Sequence, residues 1–268
     1  MENQTEGELF VRRRLLSLLI VALVAVGLLG VVSTASGAPP PGRGSQNTLC
    51  NFGAPSWYGF SGKASCHAFF DAGGRMWSLQ QDLYSKPNPA PDWFGNQGVW
   101  SFTSKGAADS FPGNLLPFQR SHDVGTPLGT VTQYEWGTDT TGNDIPLLGS
   151  QGQYLAIAHP GFPGSNSEQA VINWTAPYSG SYQLSVDMWA GDTACLAAHP
   201  DIDGIDWSCS GGGYTADGHL STSGAHFTAS TPLVLGRAGE AVHLAFSPGN
   251  NANCDTVALH LTILKPGS

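Results

Sequence analysis

The densest run of side chains able to do chemistry lies between Gly191 and Gly213. It reads Asp192-Thr193-Ala194-Cys195, then His199-Pro200-Asp201-Ile202-Asp203-Gly204-Ile205-Asp206-Trp207-Ser208-Cys209. Asp201, Asp203 and Asp206 crowd around Gly204. Carboxylates this close repel one another unless a cation or several donors lie between them. No Lys or Arg occurs between Arg120 and Arg237. Hard oxygen donors on a tight loop suit Ca²⁺, so the three are candidate calcium ligands, against the plainer reading of a solvated acidic loop. The run is not an EF-hand loop, because the acidic ligand at its twelfth position is missing. Trp207, beside the carboxylates, is placed either to stack on a sugar ring or to pack on a disulfide. Trp189 and Asp192, at the entrance to the run, complete the candidate ligand contacts.

Five Cys follow the N-terminal segment: Cys50, Cys66, Cys195, Cys209 and Cys254. Proximity pairs Cys50 with Cys66 and Cys195 with Cys209, leaving Cys254 as the odd thiol. A bridge between Cys195 and Cys209 would close the acidic run. No C-x-x-C or H-x-x-x-H spacing points to zinc.

Catalytic signatures are sparse. There is no G-x-S-x-G elbow and no H-E-x-x-H. A carboxylate pair for glycoside hydrolysis comes from distant strands and leaves no local motif. Glu135, between Tyr134 and Trp136, is the one acid candidate, although alternation turns it to the face opposite those rings. His243 and His260 fall on the outward register of their strands. In a jelly roll those strands belong to opposite sheets, which leaves two separate surface histidines. Asn173-Trp174-Thr175 matches a glycosylation sequon, but it sits inside a strand and reads as structural.

The elements that must position these residues are strands. Thr130 to Trp136, Gln153 to Ala158, Ala170 to Ala176, Ser181 to Trp189, Ala241 to Phe246 and Thr256 to Leu264 show strand patterns, most with clear period-2 alternation. In the fourth, Tyr182, Leu184, Val186 and Met188 alternate with Gln183, Ser185, Asp187 and Trp189. Such alternation marks a strand with one buried face. Turn signals separate them at Pro177 to Gly180, Gly236 to Gly239 and Pro248 to Asn251. Asn51 to about Ser121 is poorly patterned. It predicts an irregular region with a strand at Val99 to Thr103 and one or two helical turns over Met76 to Leu83. The fold class expected is all-β, a sandwich or barrel of short strands.

Compartment is read from the N-terminus. Arg12 to Arg14 precede an apolar run from Leu15 to Val32, then Ser33 to Ala38. These are the parts of a secretory signal, with cleavage expected after Ala35. The run is also long enough to serve as an uncleaved anchor. The expected organisation is a signal peptide or anchor over 1–35, a Pro/Gly-rich tether over 36–47 and a β-sandwich domain over 48–268. Three of the 11 basic and three of the 20 acidic residues lie in the first 35, so the net charge of −9 is unchanged by cleavage. That charge argues against nucleic acid and anionic lipid, which require a basic surface. Membrane contact is expected only through an uncleaved N-terminus.

Several segments, in this order, resemble a family. They are Gly98-Val99-Trp100-Ser101-Phe102, Leu155 to Gly161, Ala170-Val171-Ile172-Asn173-Trp174-Thr175-Ala176-Pro177 leading into Gly180-Ser181-Tyr182, and Gly249 to Thr256. The pattern resembles uncharacterised secreted bacterial β-sandwich domains that look like jelly-roll carbohydrate-binding modules. It covers roughly residues 92 to 264. The resemblance implies a jelly-roll-like sandwich in an extracellular setting and carries no catalytic residues. The run from Gly191 to Gly213 and the Cys50–Cys66 region depart from the family pattern. The functional expectation is an extracellular, non-catalytic binding module for carbohydrate. The alternatives are a secreted jelly-roll polysaccharide hydrolase or lyase, or a structural surface or adhesion protein.

Overall fold

The computed structural model describes residues 49–51, 54–82, 87–126, 129–137, 146–151, 155–161, 168–191, 203–221, 226–250 and 254–267. The signal or anchor and the tether expected over 1–47 lie outside them. Fourteen strands follow in the described residues: β1 Arg75–Ser78, β2 Trp100–Gly106, β3 Asn114–Leu115, β4 Phe118–Thr126, β5 Gly129–Gly137, β6 Leu147–Gln151, β7 Leu155–His159, β8 Glu168–Thr175, β9 Gly180–Ala190, β10 Ile205–Gly211, β11 Tyr214–Leu220, β12 His226–Leu235, β13 Ala241–Pro248 and β14 Val257–Lys265. Two short helices, α1 Lys63–Asp71 and α2 Leu79–Asp82, and a 3₁₀ turn at Pro55–Tyr58 precede β2.

The strands form two antiparallel sheets. The larger has the order β12-β9-β14-β7-β6-β5-β4, with β1 also paired to β14; the smaller runs β11-β10-β13-β8-β2-β3. From β7 onward the chain changes sheet at every step except the β10–β11 hairpin. The resulting groups, β12-β9-β14-β7 and β11-β10-β13-β8, are the two four-stranded sheets of a jelly roll. The fold is thus the expected all-β jelly-roll sandwich. The earlier strands widen it. β4, β5 and β6 extend the larger sheet beyond β7 as a meander, and β2 with β3 extends the smaller one beyond β8.

Alternation explains what fills the space between the sheets. On β9, Tyr182, Leu184, Val186 and Met188 are buried; on β14, Val257, Leu259, Leu261 and Ile263 are buried opposite them. Four tryptophans, Trp77, Trp100, Trp136 and Trp174, are almost fully enclosed, and Trp77 meets Trp174 and Tyr182 with ring centroids 5.6 and 5.8 Å apart. An indole N–H in such a core gains from an acceptor, and two of the four have one. Trp77 Nε1 donates to Asp92 Oδ2 at 2.6 Å, and Trp100 Nε1 donates to Asp82 Oδ2 at 2.7 Å. Those buried carboxylates tie the irregular N-terminal region to the sandwich. Met76 to Leu83, read as helical turns, divides into a strand and one turn. The reason is that β1 pairs in register with the end of β14, Trp77 opposite Ile263.

A second, smaller core lies on the outer side of the larger sheet. Leu49, Cys50, Tyr58, Phe60, Cys66, Phe70 and Met76 gather on Leu264 of β14. The disulfide between Cys50 and Cys66 ties α1 to the segment before it. The second expected bridge is corrected. Cys209 is a free, buried thiol, and burial pushes its pKa up to about 12. It lies in β10, with Ile205 and Trp207 on the same inward face. Cys254, expected to be the odd thiol, is disulfide-bonded. Cys195 lies outside the described residues.

Candidate functional site

The outward register of β9, β12 and β14 assembles a row of rings on the larger sheet. Trp189 is the Cα partner of His226 on β12, and Asp187 is the partner of both Thr228 on β12 and His260 on β14. The His226 ring lies parallel to Trp189, centroids 5.5 Å apart and planes 7° apart. His260 meets Trp189 at 5.4 Å with its plane tilted by 57°. Trp57, carried on the 3₁₀ turn, stacks on His260 at 5.0 Å and 18°. The sequence Trp57, His260, Trp189, His226 therefore crosses the sheet as one continuous set of rings.

Asp187 lies beneath this row. Its Oδ1 is 3.2 Å from His226 Nδ1 and accepts from Thr228 Oγ1 at 3.3 Å; its Oδ2 is 3.8 Å from His260 Nδ1. The His226 side chain is 54% exposed and Asp187 27%, whereas His260 is 7% exposed under its two tryptophans. One end of the row is thus open to solvent and the other is closed by Trp57. Flat apolar rings with hydrogen-bonding groups at their edge can hold a ligand having an apolar face and a polar rim.

Of the expected ligand contacts, Trp189 belongs to this row. Trp207 does not. Register places it inward on β10, 5% exposed, with its ring 4.2 Å from that of Phe227 and against Gly218. It is a core residue and can stack on no ligand. Asp192 lies outside the described residues. Sequence reading missed His226, Thr228 and Trp57. The pattern of β12 was the available signal, since His226, Thr228 and Ser230 alternate with Phe227, Ala229 and Thr231.

The acidic run is divided by the fold. Asp206 sits on β10 as an exposed strand residue and pairs with His219 of β11 at 2.9 Å. Asp203 precedes the strand, and its Oδ2 accepts from the Asn250 backbone N–H at 2.5 Å and from Asn250 Nδ2 at 2.7 Å. Asp201 lies outside the described residues, so the three expected calcium ligands are not seen together. Among the described residues no three His, Cys, Asp or Glu side chains are grouped to hold a metal ion. A carboxylate that sequence reading passed over, Asp255, is fully buried just before β14, and its oxygens have no hydrogen-bond partner among the described residues. Burial, reinforced by the negative charges of Asp203 and Asp206, raises its pKa to about 7; His219 opposes the shift.

The smaller sheet carries the other histidine. His243 Nδ1 is 2.6 Å from Asn173 Oδ1, and Asn173 Nδ2 donates to Thr103 Oγ1 at 2.9 Å. Thr103 in turn donates to the Pro112 carbonyl. Phe111 lies flat on His243, at 4.4 Å and 7°, with Lys105 Nζ 4.9 Å from its ring on the way to solvent. Neither histidine is the unpartnered surface residue that alternation predicts, because in each case an earlier segment folds back over the strand. Asn173 is buried and engaged as a structural residue. Glu135 is 3% exposed, paired to Arg120 Nε at 2.5 Å and bonded by Gln133.

No family model and no curated protein matches the sequence. Among solved structures, the chain is similar to the K1 cleaved adhesin domain of Lys-gingipain from Porphyromonas gingivalis W83, at 8% identity and a TM-score of 0.34, over 73% of this chain and 99% of that one. It is also similar to a CBM51 from Clostridium perfringens GH95 in complex with methyl-galactose, at 9% identity and 0.31, over 61% and 100%. A third is TmCBM61 in complex with β-1,4-galactotriose, at 12% identity and 0.28, over 56% and 90%. Scores this low carry no argument about the site, and the jelly roll rests on the strand pairings themselves.

Proposed function

We propose that the protein is an extracellular, non-catalytic carbohydrate-binding module whose ligand lies on the outer face of the larger sheet. The observation that carries this reading is the open Trp189–His226 stack with Asp187 and Thr228 at its edge. A pyranose presents a face of C–H groups and a rim of hydroxyls. An indole covers the face, and carboxylate, hydroxyl and imidazole groups bond the rim. An extracellular setting is supported by the signal-like N-terminus and by the Cys50–Cys66 bridge, a cross-link favoured in oxidising compartments. The non-catalytic part is supported by Glu135, whose carboxylate is already engaged by Arg120 and Gln133.

The test is a glycan array on residues 36–268, followed by calorimetry with the best ligand. Wild type is expected to bind, and Trp189→Ala and Asp187→Asn are expected to lose binding without losing the fold. An array with no signal above background would remove the carbohydrate reading in favour of a structural or adhesive role. Turnover of a bound polysaccharide would replace it with the hydrolase or lyase reading.

A further inference from the structure

A cavity of about 410 Å³ opens at one end of the sandwich, where β1 begins and β14 ends beside the turn that leads into β9. Ala72, Gly73, Arg75, Tyr178, Lys265 and Gly267 line it. Its distinguishing feature is charge. Arg75 and Lys265 are direct Cα partners across the β1–β14 ladder, and like charges placed opposite one another on a sheet repel. The chain is acidic overall, with a net charge of −9. Two of its few cations nevertheless share this cavity, with no carboxylate partner for either among the described residues. By contrast, Arg120 pairs with Glu135 and Arg237 with Glu240.

Both head groups are held in place with donors to spare. The Arg75 guanidinium lies 4.8 Å from the Tyr178 ring centroid and 5.4 Å from that of Phe94. Rings this close restrict the guanidinium, whose N–H groups suit a planar acceptor. Lys265 Nζ lies 4.9 Å from the Tyr182 ring and donates to the Ser179 carbonyl at 3.3 Å. Gly180, at φ +136°, leaves room for that ammonium, since a Cβ there would lie 2.5 Å from Nζ. On the far wall the C-terminal residues press so closely on α1 that a Cβ on Gly267 would collide with the Ala72 carbonyl oxygen.

We propose that this cavity binds the carboxylate of an acidic sugar, with Arg75 and Lys265 as its two donors and Tyr178 against the ring. The naming of a sugar rests on the function proposed above; the oxyanion chemistry does not. A carboxylate between the two cations relieves their repulsion and takes charge-assisted hydrogen bonds from both.

The test is a titration of 36–268 with glucuronate, glucose and acetate, followed by amide and Arg Nε–H NMR shifts and repeated at low and high NaCl. Glucuronate is expected to shift Arg75, Tyr178 and Lys265. Glucose is expected to leave them unmoved, and acetate to bind more weakly. Arg75→Gln and Lys265→Gln should each weaken glucuronate binding about tenfold, with unchanged melting temperatures. Salt should weaken binding in the wild type. Trp189→Ala should leave the pocket response intact, which separates this site from the row on the sheet. Equal binding of acetate and glucuronate would overturn the sugar and leave a bare oxyanion site. Absence of any shift at the three residues, or glucuronate binding that survives both substitutions, would overturn the pocket.

Discussion

The two sheets treat the same sequence feature in different ways. Each carries a histidine in the outward register of a late strand, His243 on β13 and His260 on β14, and each histidine lies flat beneath an aromatic ring from an earlier segment. On the smaller sheet the arrangement is closed. Phe111 covers His243, Lys105 covers Phe111, and Asn173 and Thr103 use up the polar edge. On the larger sheet the row continues past the covered histidine to Trp189 and His226, where rings and hydrogen-bonding groups still face solvent. An outward aromatic or histidine is therefore not by itself a site. What distinguishes the two faces is whether the covering segment stops before the polar partners are enclosed.

The strongest way to break that distinction is to remove one ring from each face. Trp189→Ala is expected to weaken binding of the best array glycan by about 30-fold or more, the loss of a central contact worth about 2 kcal/mol. Phe111→Ala is expected to leave affinity unchanged in the same calorimetric titration. The opposite pattern would move the site to the smaller sheet. Stability should respond in reverse. Phe111→Ala removes a half-buried ring from above His243 and is expected to cost about 2 kcal/mol in urea unfolding. Trp189→Ala should cost less than about 1 kcal/mol, because the ring lies on the outward face and is only partly buried. Equal losses would mean that both rings are packing residues.

The pH dependence of stability sharpens the same contrast. Burial holds His243 below its ordinary value of 6.5. The folded state therefore binds fewer protons than the unfolded state in the window below 6.5. The stabilisation is fully present above pH 6.5 and is lost as pH falls towards the lower folded value. Phe111→Ala, by admitting water, should flatten that decline in melting scans between pH 7.5 and 5. An Asp255→Asn protein as stable at pH 5.5 as at 7.5 would show that His243 is not sealed.

Much of this was legible from alternation alone. The inward faces of β9, β13 and β14 follow from their period-2 patterns, and so does the outward placement of Trp189 and Asp187. The number of such strands points to a sandwich or barrel; the jelly roll was implied by the family resemblance and is fixed by the strand pairings. The site was only half legible because it is assembled across three strands and a turn. His226 is partnered to Trp189 by register, which no local window contains, and Trp57 arrives from more than a hundred residues away in sequence. The acidic run misled for the same reason. Read as a loop, it places Asp206, Trp207 and Cys209 together; folded as β10, it sends Asp206 to solvent and the other two into the core. Asp255 gave no signal, since a single Asp beside Cys254 becomes unusual only when β14 buries it.

The smallest effect expected is that of calcium, and it is tied to Asp255. This carboxyl is raised from its ordinary 3.8 to about 7, so between those values the folded state holds a proton that the unfolded state has released. The resulting contribution to stability is complete below pH 3.8 and is lost as pH rises through about 7. Asp255→Asn should abolish that loss, and melting scans from pH 5 to 8 will show it. Above pH 7 the ionised group faces Asp203 and Asp206, and a divalent cation becomes the alternative to a proton. The gain available is limited, because Asp203 is already bonded by Asn250 and Asp206 by His219. Millimolar Ca²⁺ added to metal-stripped protein at pH 8 is expected to stabilise by about 1 kcal/mol. The same addition at pH 5 should do nothing, as should addition to the triple variant with Asp201, Asp203 and Asp206 changed to Asn. A melting temperature at pH 8 that ignores both Ca²⁺ and EDTA would remove the ion from this end of the sandwich and leave Asp255 relieved by protonation alone.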